Sequence, residues 1–319
     1  MRRISAFFQL IRYNNLLIIA FTQLIIWFLL LNPFFKSIEI RPLLSIFNIL
    51  SLVLSTVSIA AAGYIINDYF DFSIDIINKP DKVIIEKVIP RRHAILLHSI
   101  LNFLGISLAV YVAFQAGNWA LILLPISCSL LLWFYATDFK GSYIYGNIII
   151  ALLTVFSIAI IPLFEVKMWE YFTWNLWIQN GVINPWFILS VYIFFAFILT
   201  WIREIVKDME DIKGDLLQDC KTLPIVIGLK KAGNFSKILI LIANSVLFLS
   251  SIILFFSRWW SLGLYLLLFL ILPLFYVFFK INSSGMQKHY HAMSRLLKII
   301  MFFGILALLI IYLLFNQEF

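Results

Sequence analysis

Long apolar runs separated by short polar stretches fill the chain, and their spacing predicts nine membrane-crossing helices. A helix needs about 18–20 apolar residues to cross roughly 30 Å of hydrocarbon. Runs of that kind lie near 15–33, 43–66, 94–115, 119–137, 144–164, 186–203, 235–257, 259–280 and 294–315. Pro125, Pro162 and Pro273 fall inside three of them. They are expected to kink those spans without ending them, because neighbouring helices can satisfy the carbonyls that proline leaves free. The first run follows Arg2, Arg3 and Arg12 and shows no small-residue cleavage site, so it reads as a retained helix and not as a signal peptide.

Composition agrees with this pattern. Of 319 residues 63% are hydrophobic and only 13% charged, which excludes an ordinary soluble domain and points to an integral membrane protein embedded in the lipid bilayer. The expected fold is all-α, a bundle of about nine transmembrane helices, with residues 1–319 forming a single membrane domain. Charge sets the orientation. Of the 24 Lys and Arg, all but Lys36, Arg41, Lys167 and Arg258 fall at the N-terminus or in and beside the loops after spans 2, 4, 6 and 8. The positive-inside rule therefore makes those segments cytoplasmic. The expected location is the plasma (inner) membrane of a prokaryote. The net charge of +8 is accounted for by topology and calls for no nucleic-acid partner. Cys128 lies in a span and Cys220 in a cytoplasmic loop, so no disulfide framework is expected. The Trp-rich stretch at 167–185 lies on the outer side and reads as an interfacial anchor.

Two polar segments, 67–93 and 203–234, are too long for tight turns, and both carry acids in one repeated pattern. Asp68, Asp71 and Asp75 are spaced D-x2-D-x3-D, and Asp208, Asp211 and Asp215 repeat that spacing. At about 100° per residue, positions 0, 3 and 7 fall near 0°, −60° and −20°, so each trio projects from one helix face. Asn67 lies at the edge of the first stripe and Glu204 on the second, whereas Glu210 lies opposite and is expected to be peripheral. Solvated caps at helix ends are the bland reading. Against it, each trio begins where an apolar span ends, and the macrodipole already disfavours negative charge at a helix C-terminus. Clustered acids there need a cation, and two matched trios on one side of the membrane can face each other across one cavity. Carboxylates and an Asn amide are hard oxygen donors suited to Mg²⁺, which binds through a few carboxylates, waters and substrate phosphates. Lys79, Lys82, Arg203 and Lys207 lie within a turn or two of the acids, and such interleaving describes a diphosphate site.

These residues resemble the UbiA superfamily of intramembrane prenyltransferases. Its NDxxDxxxD signature is matched by Asn67, Asp68, Asp71 and Asp75, and its second acidic motif by Asp211 and Asp215 with Asp208 ahead of them. A Tyr and a Lys after the fourth helix look like Tyr135 and Lys140 in WFYATDFKGS. Further similarities are GNIIIA at 146–151, the Arg203-Glu204 pair and TLPIVIG at 222–228. Two departures stand out. Lys82 occupies the place of an Arg that follows the first motif in many members, and the Tyr-to-Lys gap differs by one residue from the tightest form.

The resemblance implies an active site opening to the cytoplasm and transfer of an isoprenyl group from a prenyl diphosphate donor to a lipophilic or phospholipid-like acceptor. Two Mg²⁺ ions, one at each trio, would stabilise the departing diphosphate, and Lys79, Lys82, Arg203 and Lys207 would add contacts to it. Lys140 would do the same, and Tyr135 would steady the allylic cation or position the diphosphate. Asn14 or Arg12, in RYNN at the start of the first span, would touch substrate, although Asn14 also reads as a plain helix-start residue. The overall look is closest to geranylgeranylglycerol-phosphate geranylgeranyltransferases, which makes geranylgeranylglyceryl phosphate the expected acceptor. An aromatic acceptor of a quinone pathway is the alternative. A cation-coupled transporter is the reading from another class, and it would place its acids near the bilayer midplane. His289 and His291 are not expected to hold metal, and His93 and His98 read as interfacial residues.

Overall fold

The computed structural model describes residues 2–73, 76, 83–172, 184–217, 219–256, 259–283 and 285–316. Among them, nine helices are long and apolar enough to cross a membrane, one for each predicted span. After the short amphipathic α1 (Arg2–Leu10) come α2 (Tyr13–Ser37), α3 (Ile46–Phe70), α4 (Arg91–Gln115), α5 (Trp119–Phe139) and α6 (Tyr145–Phe164). They are followed by α7 (Pro185–Leu217), the short α8 (Leu223–Ile227), α9 (Leu229–Phe255), α10 (Trp260–Lys280) and α11 (Gln287–Asn316). Their outward faces carry large apolar side chains suited to lipid, such as Phe103 and Phe256, exposed by 76% and 85%.

Two spans contain a proline immediately after a wide turn. Pro33 follows the π-helical turn Ile26–Leu31 and Pro273 follows Leu267–Ile271. A proline ring presses on the carbonyl four residues back, and the wider turn makes room for it, so the span with Pro273 runs on as expected and α2 continues past Pro33 to Ser37. The long α3 and α7 extend past the lipid-spanning runs seen in the sequence. α3 includes Asn67 and Asp68, and α7 includes Asp208, Asp211 and Asp215.

The chain divides into two compact units, Met1–Lys140 with Val155–Ile193, and Gly141–Thr154 with Phe194–Phe319. In the first, α3 and α4 pack closely. The Cβ that Gly105 lacks would lie 2.9 Å from the carbonyl oxygen of Ser55 and 2.7 Å from Ile59, and the Ser55 hydroxyl donates to the Gly105 carbonyl at 2.6 Å. Small residues at such crossings let helix backbones approach where lipid supplies no hydrophobic drive. Gly105→Ala is therefore expected to cost about 1–3 kcal/mol, read as a lower melting temperature in detergent. Polar clasps add to the packing. Gln23 of α2 donates to Thr56 of α3 at 3.1 Å and to the Ser157 carbonyl of α6 at 2.8 Å. The fully buried Glu165 accepts the amides of Leu43 and Leu44 at 2.9 and 2.8 Å. Burial holds its carboxyl above the usual range, with those two amides working in the other direction.

The end of α1 closes over the motif-bearing end of α3. Leu10 and Ile11 join Ala61 and Ile65 of α3, Ala94 of α4, and Ile85 and Ile89 of the intervening loop in one buried cluster. The second unit has its own core, in which Ile202, Ile205 and Val206 of α7 meet Ile240 and Ala243 of α9, Leu274 and Val277 of α10, and Leu297 of α11.

Candidate active site

In the first unit the NDxxD residues occupy the last turn of α3. Asp71 caps the helix, its own amide bonded to the Asn67 carbonyl at 2.9 Å. Asp71 is only 4% exposed, and a carboxylate so placed at a helix C-terminus needs positive partners. They are present. The Asn67 amide donates to Asp71 Oδ2 at 2.6 Å, and the Lys140 ammonium pairs with the same oxygen. Asp68 pairs with Arg12 at 2.6 Å.

Arg12 reaches Asp68 because the backbone breaks at that residue. It adopts φ 52 and ψ 52 between α1 and α2, a left-handed conformation that costs a non-glycine residue about 1–2 kcal/mol. The ion pair and the Tyr64 ring, 4.9 Å from the guanidinium carbon, offset that strain. Burial works against the Arg12 charge, yet Asp68 and Tyr64 hold its pKa above the ordinary value. Asn14, two residues on, is exposed, so the structure brings Arg12 and not Asn14 against the first trio. Asp75, Lys79 and Lys82 lie outside the described residues.

Tyr135 and Lys140 bracket the π-helical turn Tyr135–Phe139, and the Lys140 amide bonds to the Tyr135 carbonyl at 2.9 Å. On a regular α-helix, residues five apart point about 140° away from each other. An i to i+5 turn absorbs one extra residue and brings them towards one side. The one-residue difference in the Tyr-to-Lys gap is thus accommodated by the backbone, and Lys140 still meets Asp71.

In the second unit the acids lie along the last three turns of α7. Asp208 accepts the side-chain amide of Asn147 at 2.9 Å. Asn147 is 6% exposed and belongs to the GNIIIA stretch of α6. Asp215 is buried, and its backbone carbonyl accepts the Cys220 amide at 3.0 Å. Glu204 binds both neighbouring bases, Arg203 at 3.0 Å and Lys207 at 2.7 Å, so these two cations are held in place by an acid on the same stripe. Glu210, on the opposite side of the helix, has a partner of its own. It is buried at 7% exposure and accepts His291 of α11 at 2.9 Å. Its position opposite the trio points it into the helix packing instead of into water. Glu210→Ala is therefore expected to lower stability by about 1 kcal/mol. Turnover per folded molecule should stay close to wild type, checked by thermal melts beside initial rates.

Among the described residues no three His, Cys, Asp or Glu side chains converge into a ready-made metal cage. The donor set nevertheless fits Mg²⁺, which takes a few hard carboxylate oxygens and completes its octahedron with water and phosphate. Each unit gathers acids with bases beside them at a helix end, which suits an ion that arrives with its diphosphate.

The UbiA prenyltransferase family description matches residues 37–306, most of the chain. The chain belongs to this family. Curated relatives agree: digeranylgeranylglyceryl phosphate synthase of Methanosphaera stadtmanae is 32% identical over 240 residues, 75% of this chain and 78% of the relative. The Saccharolobus solfataricus protein of the same name is 31% identical over 310 residues, 96% of each. The fold is shared with a solved structure from work on digeranylgeranylglyceryl phosphate synthase in membranes, at TM-score 0.64 and 24% identity, covering 97% of this chain and 98% of that one. It is shared also with a UbiA homolog from Archaeoglobus fulgidus bound to GPP and Mg²⁺, at TM-score 0.59 and 16% identity, covering 95% and 99%. As a family member the chain is a prenyltransferase, an enzyme that transfers alkyl groups larger than methyl. What the sequence does not foretell is the pairing of Arg12 with Asp68 and of Asn147 with Asp208.

Proposed function

We propose that the chain transfers a geranylgeranyl group from geranylgeranyl diphosphate to geranylgeranylglyceryl phosphate in a Mg²⁺-dependent reaction. The observation that carries this reading is the shared name of relatives at 31–32% identity, one of them aligned along 96% of the chain. In the reaction the allylic C1–O bond breaks, diphosphate leaves with its electron pair, and the free glycerol hydroxyl of the acceptor forms the new ether bond as its proton passes to solvent or diphosphate.

The residues divide by chemistry. Asn67, Asp68, Asp71 and Asp75 would hold one Mg²⁺ and Asp208, Asp211 and Asp215 a second. Bound there, the ions supply charge stabilisation to the departing diphosphate. Lys140, Arg203, Lys207, Lys79 and Lys82 contact phosphate oxygens, and Asn14 and Arg12 lie at the same end of the first span. Tyr135 presents its ring to the allylic cation, and the apolar helix walls keep water from quenching it. Residues 1–319 act as one prenyltransferase domain in a prokaryotic plasma membrane, with the N-terminus and the motif-bearing helix ends on the cytoplasmic side.

The test offers purified protein geranylgeranyl diphosphate and Mg²⁺ with geranylgeranylglyceryl phosphate or with 4-hydroxybenzoate, and identifies products by mass spectrometry. A digeranylgeranylglyceryl phosphate product sensitive to EDTA is expected. Prenylation of the aromatic acid alone would move the enzyme to the quinone-type reading. No diphosphate release with any acceptor would end the prenyltransferase reading of this chain.

A further inference from the structure

Inside the first unit, three polar side chains from two helices form a directed hydrogen-bond chain that ends on a backbone carbonyl of a third, one to two turns before the motif. Ser129 of α5 donates to Asn102 Oδ1 of α4 at 2.9 Å, and the Asn102 amide lies 3.1 Å from His98 Nε2. His98 Nδ1 lies 2.9 Å from the Ala62 carbonyl of α3. The last acceptor decides the direction of the whole chain. A carbonyl can only accept, so Nδ1 carries the proton, Nε2 accepts from Asn102, and Asn102 Oδ1 is left to accept from Ser129. His98 is 6% exposed, and with the imidazole neutral both of its nitrogens have partners.

The chain ends next to the functional residues. Five residues beyond Ala62 stands Asn67, followed by Asp68 and Asp71. On α5 the His98 ring packs on Trp133, with centroids 5.5 Å apart, and Trp133 in turn meets Phe70 edge-on at 5.9 Å. Phe70 directly precedes Asp71, and Trp133 stands two residues before Tyr135. His98 is therefore bonded to the helix that carries Asp71 and packed on the helix that carries Tyr135 and Lys140.

We propose that His98 is a positioning residue of prenyl transfer: through Ala62 and Trp133 it fixes the end of α3 against the end of α5, and with it the Asp71–Lys140 pair. The inference rests on the prenyl-transfer reading above. Hydrogen-bond partners one layer behind a metal-binding group commonly control its affinity or activity by about 10–100-fold.

Three variants test it. His98→Phe keeps a ring against Trp133 and removes both nitrogens, His98→Asn keeps a donor for the Ala62 carbonyl, and Val112→Ala opens a void farther along α4, where Val112 is fully buried. His98→Phe should lower kcat by about tenfold, raise the Mg²⁺ concentration for half-maximal rate, and weaken Mg²⁺-dependent binding of inorganic diphosphate measured by calorimetry. His98→Asn should recover most of each loss. Val112→Ala should lower the melting temperature while leaving kcat and diphosphate binding at wild-type values. Wild-type kcat and diphosphate binding in His98→Phe, failure of His98→Asn to recover either, or equal losses in Val112→Ala would each overturn the proposal. If the wild-type protein transfers no prenyl group, the calorimetry still decides. Diphosphate binding weakened in His98→Phe and restored in His98→Asn sustains the positioning role while the reaction is reassigned, and unchanged binding removes both.

Discussion

Asp71→Ala and Asp211→Ala are each expected to lower kcat by about 10²–10³-fold or more, with the protein still folded and monodisperse in detergent. The size of the effect follows from what these carboxylates replace. In a membrane cavity little water is available to share the charge of a departing diphosphate, so the proposed ions and the acids that hold them carry most of the stabilisation. Asp71 has a second duty, because it neutralises Lys140, and its removal leaves that ammonium without its buried counter-charge. Part of the Asp71 loss could come from a displaced Lys140 and not from a lost ligand. Stability separates the two. If ligand loss dominates, Asp71→Asn melts near the wild-type temperature and its lost rate goes with weaker Mg²⁺-dependent diphosphate binding, whereas a displaced Lys140 shows as a lower melting temperature that adding Lys140→Met restores. More than a tenth of wild-type turnover in either alanine variant would remove these acids from the metal site. Glu210→Ala serves as the control within the same acidic run, since its partner is His291.

The sequence already outlines much of this. Apolar run length gives nine spans, and the structure places a helix at each. The D-x2-D-x3-D spacing predicts one face; α7 carries Asp208, Asp211 and Asp215 as helix residues, and α3 carries Asp68 with Asp71 as its cap, while Asp75 lies outside the described residues. What escapes the sequence shares one property: it depends on a partner from elsewhere in the chain. Periodicity tells which face of a helix is apolar and says nothing of which residue lies across from a polar one. His98 therefore reads as interfacial, although its neighbours Asn102 and Ala62 satisfy it deep in the packing. The burial of Glu210 is hidden for the same reason, its His291 partner being far along the chain. Arg12 is already a candidate in the sequence, but its pairing with Asp68 is hidden by a different cause. A single left-handed residue at a helix junction leaves no repeating pattern, yet that one backbone angle carries the guanidinium to Asp68.

The π-helical turn at Tyr135–Phe139 leads to the second large effect, at Lys140. Lys140→Met removes the charge and keeps much of the stem, and it is expected to lower kcat by about 10²-fold, with a smaller change in acceptor KM. The lysine contributes twice. Its charge neutralises Asp71 in the free enzyme, and in the proposed reaction it stabilises phosphate oxygens as the C1–O bond breaks. Lys140→Arg should recover only part of the rate, because a planar guanidinium cannot occupy the place of a compact ammonium against Asp71 without moving one of them. Deleting Thr137 is the stricter probe. It would restore an ordinary α-helical turn with a four-residue Tyr-to-Lys interval, the gap that the wide turn now absorbs. If only the Tyr135–Lys140 register matters, the deletion retains substantial activity. If Lys140 must also meet Asp71 in its present orientation, closing the wide turn re-aims its side chain and lowers kcat nearly as far as Lys140→Met. The ion pair buried at α3 favours the second outcome, since Asp71 is fixed at the end of its own helix and cannot follow.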